Sequence, residues 1–559
     1  MNQIISRGKK IFLSEQTSIL SAAAVIMVMT LASQVLGIFR QRILLHFFSP
    51  SDASLFFAAF RLPDLTFEVL IYGMFSSAFI PVFTKYLKQD EKEAWDTASR
   101  VVNICLILFG FFAILIGVFA DKLYGLVAPG YNPEQIHVIA NIARIMFFAQ
   151  GIFVISYVLT SVLESLRRFL IPALAPLLYN LGLIFGILVL SPHIGLMGPA
   201  VGVVIGALIH LLIQLPLSVQ LGFRFTRSIR PTVGVKSIAK LAAPRLLDLS
   251  FQQVAETAVL YFASLISIPS YAYFTLASSL QAAPVRLFGT SLAKAALPTL
   301  TRESEDLEKF KNILFKTVYQ IFFLIAPVVA MFIVLRIPTV RILFGTSIFD
   351  WSSTVETGMV LSAFAIGIPF QTYVAMLARG FYALHDTKTP VIISVVGDSC
   401  IVIGDLILIA GFKLPVWALA ASFSFGAFVE TIILLVVLRN KLKNFSIFGI
   451  ILPMFKTLVA AVVSGAVMYY LLKFFDKWVP IKISRPIAFE KFVLDTRYTV
   501  NLIILTLLVG IAGLIVYIIV SLILKSEELK GIVDAISRRR FWVPTRKVEP
   551  EPINPLDNV

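Results

Sequence analysis

The chemistry open to this chain rests on ionisable side chains set inside apolar runs. Arg61, Asp64 and Glu68 follow one another at i,i+3 and i,i+4 spacing, so all three share one helix face. Two readings are open for them: a local Arg61–Asp64 pair, or the lining of a cavity. Asp248, Gln252 and Glu256 form a polar stripe at helical spacing, with Arg245 beside Asp248 as an expected internal pair. Arg286 and Lys294 lie two turns apart on roughly one face, as do Asp398 and Asp405. Arg144 stands alone in another apolar run and is expected to pair with a carboxylate. A charge at membrane depth is costly, so each of these residues should face a cavity or a partner. Arg40, Arg61, Arg286 and Lys294, with Asp64 among them, suit an anionic headgroup, because guanidinium binds phosphate oxygens bidentately. Glu256, Asp398 and Asp405 suit a coupling Na⁺ or a transferable proton, or else structural hydrogen bonds.

Other chemistries find no support. No Walker A sequence and no HExxH is present, and the five His show no ligand spacing. Cys105 and Cys400 both sit in apolar runs and read as buried structural thiols. No cofactor is expected beyond a coupling Na⁺ or H⁺, and no enzyme activity.

The elements that hold these charges follow from composition. Of 559 residues 58% are hydrophobic and only 14% charged, with mean hydropathy +0.89. A soluble chain is about 25% charged. A spanning helix needs about 20 apolar residues, and fourteen candidate spans run from 17–39 and 54–84 through to 451–475 and 499–524. Several contain proline, including Pro63, Pro244, Pro284, Pro327 and Pro369. Such breaks are tolerated where neighbouring helices satisfy the freed backbone groups. The net charge of +16 would suggest nucleic acid in a soluble protein. Here most Lys and Arg fall on alternate segments, which predicts topology, with both termini cytoplasmic. The apolar stretch Ser18–Phe39 is too long for a signal-peptide core and reads as a retained first helix.

The chain also repeats itself. Glu164–Pro172 aligns with Tyr382–Pro390, Phe56-Phe57 with Tyr273-Phe274, and Gly206 with Gly426, all at a near-constant offset. The expected fold is an all-α polytopic membrane protein of fourteen transmembrane helices. It comprises two six-helix pseudo-symmetric lobes plus two C-terminal helices. The expected divisions are an N-tail (1–16), an N-lobe (17–225), a C-lobe (226–443), a helix pair (444–525) and a basic, then Pro- and acid-rich tail (526–559). Parallel repeats place a substrate path between the lobes.

Four segments carry a resemblance: Ser33–Arg40, Phe57–Pro63, Gly73–Pro81 and, most specifically, Ala378–Pro390 (ARGFYALHDTKTP). They resemble the MurJ/MviN family of lipid II flippases in the MOP exporter superfamily, and the likeness runs from about 17 to 525. The resemblance implies flipping of undecaprenyl-diphosphate-linked peptidoglycan precursor across the bacterial inner membrane, by alternating access, for cell-wall synthesis. It implies a V-shaped, MOP/MATE-like pair of lobes around a central cationic cavity to which Arg40 contributes, and a groove between the last two helices for the lipid tail. It also places Asp405 near the sodium site of some members. Implied partners are the polyprenyl-diphosphate-linked glycan, membrane lipids and cell-wall synthesis proteins, with no nucleic acid. The chain departs from the family at Gln34, Phe67 and Ser279, where arginines are expected, at Ser54, where an aspartate is expected, and at Val259 in the ion site. Arg61, Arg286 and Lys294 are expected to substitute. Alternative readings are a flippase for another polyprenyl-linked oligosaccharide, a MATE-like cation-coupled antiporter, and a non-transporting scaffold.

Overall fold

The computed structural model describes residues 19–72, 78–442, 447–477 and 499–530. The basic N-tail, most of the charged loop near 476–498, the tail beyond 530 and the side chains of Arg245 and Asp248 lie outside the described residues. Among the described residues every regular element is helical.

Helix α1 spans Ile19–Phe47, followed by α2 (Pro50–Ala59), α3 (Arg61–Phe67), a π-helical turn (Glu68–Tyr72) and α4 (Ile80–Gln89). Next come α5 (Glu91–Val118), the short α6 (Ala120–Val127), α7 (Pro133–Ser165) and α8 (Leu170–Phe185). A π segment (Gly186–Leu190) leads from α8 into α9 (Ser191–Ile194), and α10 (Met197–Gln220) ends the first half. The second half has α11 (Val233–Ile266), α12 (Ser270–Pro284), a π segment (Val285–Thr290) and α13 (Ser291–Arg302). It continues with α14 (Leu307–Val334), α15 (Arg336–Phe344), α16 (Trp351–Ala383), α17 (Lys388–Asp405) with a π segment (Leu406–Gly411), and α18 (Trp417–Lys441). Two further helices, α19 (Ile447–Lys477) and α20 (Thr499–Ile523), complete the described fold.

Ten helices among the described residues are long and apolar enough to cross a membrane. The other long stretches are α1, α2–α4, α11 and α12–α13. Charged residues interrupt the last three, Arg61, Asp64 and Glu68 in α2–α4, Glu256 in α11, and Arg286 and Lys294 in α12–α13. Helix α1 does not stop near residue 39: it continues to Phe47, so Arg40 lies within it. The chain turns at Ser49, whose hydroxyl accepts from Asp52 N while the Asp52 carboxylate accepts from Ser49 N, a capping box that starts α2. The single span expected over 54–84 is instead broken at Phe60 and again at the π turn.

Proline explains two of the joints and how they are repaired. Pro63 has no N–H for the carbonyl four residues back, at Ala59. The buried Tyr124 hydroxyl donates to that carbonyl instead, at 2.8 Å. Pro327 likewise cannot bond the Phe323 carbonyl, and the Tyr517 hydroxyl of α20 donates to it at 2.8 Å. The same bond docks α20 on α14. Ser464 of α19 donates to the Gly513 carbonyl of α20 at 2.7 Å, holding the last two helices together.

The repeat seen in the sequence recurs in the backbone. Arg167 and His385, equivalent positions in the aligned segments, both adopt the left-handed conformation, with φ of 57° and 59°. Each ends a long helix with the same pair of turns: Arg168 N to Leu163 O in one, Asp386 N to Phe381 O in the other. The π segments after α3 and α12 also correspond, as do those after α8 and α17.

The two halves touch at several places, one of them where the Thr97 and Thr232 hydroxyls lie 3.3 Å apart, and a further set of contacts gathers at one end of the bundle. Tyr131 donates to the Ile268 carbonyl (3.4 Å), and Ser279 donates to Gln41 Oε1 (3.1 Å). Thr346 donates to the Leu45 carbonyl at 2.7 Å, and Gly130 N donates to Ser264 Oγ at 3.1 Å. A Cβ at Gly130 would lie 1.9 Å from the Ser264 carbonyl oxygen, so this approach requires glycine.

Candidate functional site

Helix α3 directs its charged face at α11, across the junction of the halves. Arg61 is 6% exposed, and its Nη1 bonds Glu256 Oε2 at 2.5 Å. The partner is therefore Glu256 of the other half, not the neighbouring Asp64. Asp64 instead accepts from Gln150 of α7 at 2.6 Å. Glu68 accepts from Gln253 of α11 at 3.0 Å. Three charges read as one helix face thus reach three separate polar partners on two other helices. Arg61 keeps Nε and Nη2 buried and without a hydrogen bond. Such donors carry a desolvation cost, which an anionic ligand with free oxygens would relieve.

Glu256 borders a cavity of about 600 Å³ within the second half. Its polar lining includes Asp398, Glu430, Gln371 and Gln252, with Arg61 at its edge and Phe274 and Phe423 among the apolar walls. This described cavity is mostly acidic, where the sequence reading expected a basic one. The expected substitutes are elsewhere: Arg286 and Lys294 are exposed and line none of it. Arg286 lies inside the π segment Val285–Thr290 and Lys294 beyond it. A π turn holds about one more residue than an α turn, so their expected common face is lost.

Arg40 also lies outside that cavity. Its Nη1 donates to Asn180 Oδ1 at 2.8 Å, and Asn180 Nδ2 donates to Ser33 Oγ at 3.1 Å, locking α1 to α8. Asp405 ends α17 fully buried, with no charged partner among the described residues. It sits where α17 widens into its π segment, with Ser422 beside it. Arg144 meets its expected carboxylate, Asp121, at 2.5 Å. That pair and the 2.9 Å bond from Arg144 to the Gly117 carbonyl hold the linker helix α6.

At the departure positions the structure shows packing in place of charge. Ser54 is fully buried and bonded to the Tyr131 hydroxyl at 2.9 Å. Phe67 stacks among Phe109 and Tyr157. Ser279 makes the Gln41 contact between the halves.

The structure therefore brings together Arg61, Asp64, Glu256 and Asp398, and leaves Arg40, Asp405, Arg286 and Lys294 apart from them. Sequence reasoning missed Gln150 as the partner of Asp64. A glutamine inside the apolar run of α7 was the available signal.

Charged groups bridging two repeated helical halves, beside an internal polar cavity, define a polytopic α-helical membrane transporter. The chain belongs to the lipid II flippase MurJ family, whose model matches residues 44–489. It is similar to the probable lipid II flippase MurJ of Buchnera aphidicola subsp. Acyrthosiphon pisum. They are 28% identical over 373 residues, covering 65% of this chain and 73% of that protein. Among solved structures, it is similar to a lipid II flippase MurJ in an inward closed conformation. The TM-score is 0.71 at 21% identity, covering 93% of this chain and 99% of that one. A multidrug resistance MATE family transporter of the MOP superfamily, in an inward-facing conformation, gives a TM-score of 0.63 at 17% identity. That match covers 73% of this chain and 94% of that one. These two likenesses set the fold as MurJ/MATE-like.

Proposed function

We propose that this protein flips lipid II across the bacterial cytoplasmic membrane by alternating access. The observation that carries this reading is the family match over residues 44–489. In this reading fourteen helices span the membrane, both termini are cytoplasmic, and the lobes are residues 17–225 and 226–443. Residues 444–525 supply the groove for the lipid tail. The contacts at Gly130, Tyr131, Ser279 and Thr346 close one end of the path and release when it opens.

Arg61 is the residue of this site best suited to the diphosphate. Its Nη1 is held by Glu256, and the Tyr271 hydroxyl is another polar neighbour. A diphosphate would compete with Glu256 for the guanidinium, and losing that bond would loosen the junction of the halves. Asp405 and the acidic cavity of Glu256 and Asp398 are the places for a coupling cation or proton. Among the described residues no group of three or more His, Cys, Asp or Glu is placed to hold a metal. A bound Na⁺ would therefore need carbonyl or hydroxyl donors as well as a carboxylate.

The test is complementation of a bacterium depleted of its own lipid II flippase. Rescue is expected from the wild-type chain. Failure of well-expressed, membrane-inserted protein to rescue would overturn the lipid II reading.

A further inference from the structure

A second cavity, this one basic, lies away from the Arg61 cluster, where the end of α1 meets the turn after α15 and the start of α20. Its volume is about 500 Å³. Arg42, His46 and Arg341 line it, and among the described residues no carboxylate does. Each arginine is held by one nitrogen on backbone carbonyls. Arg42 Nη1 donates to Ile342 O, and Arg341 Nη1 donates to Phe349 O at 2.7 Å, with a weaker contact to Thr346 O at 3.5 Å. Among the described residues neither forms a salt bridge. Asp350 feels Arg341 but is occupied as the cap of α16, accepting from Ser353 N at 2.8 Å. Carbonyl contacts fix where the guanidinium groups point without neutralising them. Two aimed guanidinium groups without a salt bridge, beside an exposed imidazole, make an anion site, with oxygen acceptors as its natural ligand.

The loop is shaped to present Arg341. A Cβ at Gly345 would lie 2.4 Å from the Arg341 carbonyl oxygen and 2.6 Å from its Cδ, so the chain folds over this side chain only as glycine.

The rest of the lining is apolar: Phe39, Ile43 and Phe47 from α1, Leu188 from the π segment after α8, and Leu502 from α20. The same surface continues along α1 and α8 as exposed Val35, Phe39, Phe185 and Leu188. A cationic pocket at the ends of long apolar helices, opening onto exposed apolar side chains, matches one ligand type: a phosphate group carried on acyl chains. We propose that Arg42, Arg341 and His46 bind the phosphodiester headgroup of an anionic phospholipid, whose chains lie along α1 and α8.

The site joins the two halves. Arg42 belongs to the first half and Arg341 to the second, and the bonds from Arg42 to Ile342 O and from Thr346 to Leu45 O already cross the junction here. A phosphate held by both arginines adds a further bridge and favours the arrangement in which these halves touch.

The experiment uses the purified full chain in nanodiscs of phosphatidylcholine, with or without phosphatidylglycerol. Phosphatidylglycerol is expected to raise the unfolding temperature and to remain bound in native mass spectrometry. Arg42→Gln with Arg341→Gln is expected to weaken that retention about tenfold or more, since each charge-assisted contact to phosphate contributes on that scale. Equal retention by wild type and variant overturns the proposal. Inorganic phosphate matching the stabilisation in phosphatidylcholine discs overturns the lipid as the source. Should the double variant fail to fold, a photoreactive phosphatidylglycerol analogue on the wild-type chain decides. Labelling within 39–47 or 341–347 supports the site, and labelling only elsewhere overturns it.

Discussion

Tyr517→Phe removes one oxygen, and the structure says what that oxygen does. The hydroxyl is 2.8 Å from the Phe323 carbonyl, and Tyr517 is 2% exposed. Pro327 has already deprived that carbonyl of its helical partner, so the substitution leaves a buried acceptor with nothing. An interhelical hydrogen bond in a membrane protein contributes about 0.6 kcal/mol on average and up to about 1.7. A buried group left unsatisfied costs about 1–3 kcal/mol. We expect a loss of about 1.5 kcal/mol, roughly tenfold in the folding equilibrium. The control is Pro327→Ala, which returns an N–H to position 327 and so gives Phe323 its own helical partner. In that background Tyr517→Phe should cost only a few tenths of a kcal/mol, a coupling of about 1 kcal/mol between the two sites. The assay is equilibrium unfolding in mixed micelles with increasing SDS, for all four proteins of the cycle. Equal cost of Tyr517→Phe in both backgrounds, or no cost in either, would refute the claim that Tyr517 replaces the bond proline deletes.

Further predictions follow from other contacts. Glu256→Ala leaves Arg61 buried and unpaired. The cost should be about 1–3 kcal/mol, less than the 3–5 of a fully buried pair, because Glu256 is 47% exposed. The same unfolding assay reads it, and Arg61→Ala with Glu256→Ala should be less destabilised than Glu256→Ala alone. Gly130→Ala puts a Cβ 1.9 Å from the Ser264 carbonyl, so the halves must separate there. A cysteine introduced at Ser264 should become more reactive to a water-soluble maleimide, and unchanged labelling would count against the closed junction. Asp386 lies in the turn before α17. Partial burial raises its pKa, but the bonds from Lys441 and Thr389 overcome this and lower it to about 2. Its contribution is therefore complete above the unfolded value near 4 and lost as pH falls through about 2. Asp386→Asn should flatten the acid limb of stability between about pH 4 and pH 2, measured by thermal unfolding across that range.

Much of this protein is legible along the chain. Apolar runs of spanning length follow from local composition, and they mark a polytopic membrane protein whichever way the helices pack. The repeat is visible in Glu164–Pro172 and Tyr382–Pro390, and the two segments fold into the same turn, with Arg167 and His385 at positive φ. Pro63 and Pro327 announce where a helix loses a bond. What the chain cannot announce is the partner across space. Helical periodicity put Arg61, Asp64 and Glu68 on one face, yet only packing decided that Arg61 meets Glu256, Asp64 meets Gln150 and Glu68 meets Gln253. The π segment that holds Arg286 shifts its register against Lys294, which a period of 3.6 residues cannot reveal. Tyr124 and Tyr517 look like ordinary apolar-run tyrosines until tertiary structure sets them on orphaned carbonyls. Sequence determined which residues need a partner, because that need is local and follows from charge, proline and burial. Tertiary structure alone decided which partner each one found, because that depends on how separate helices approach.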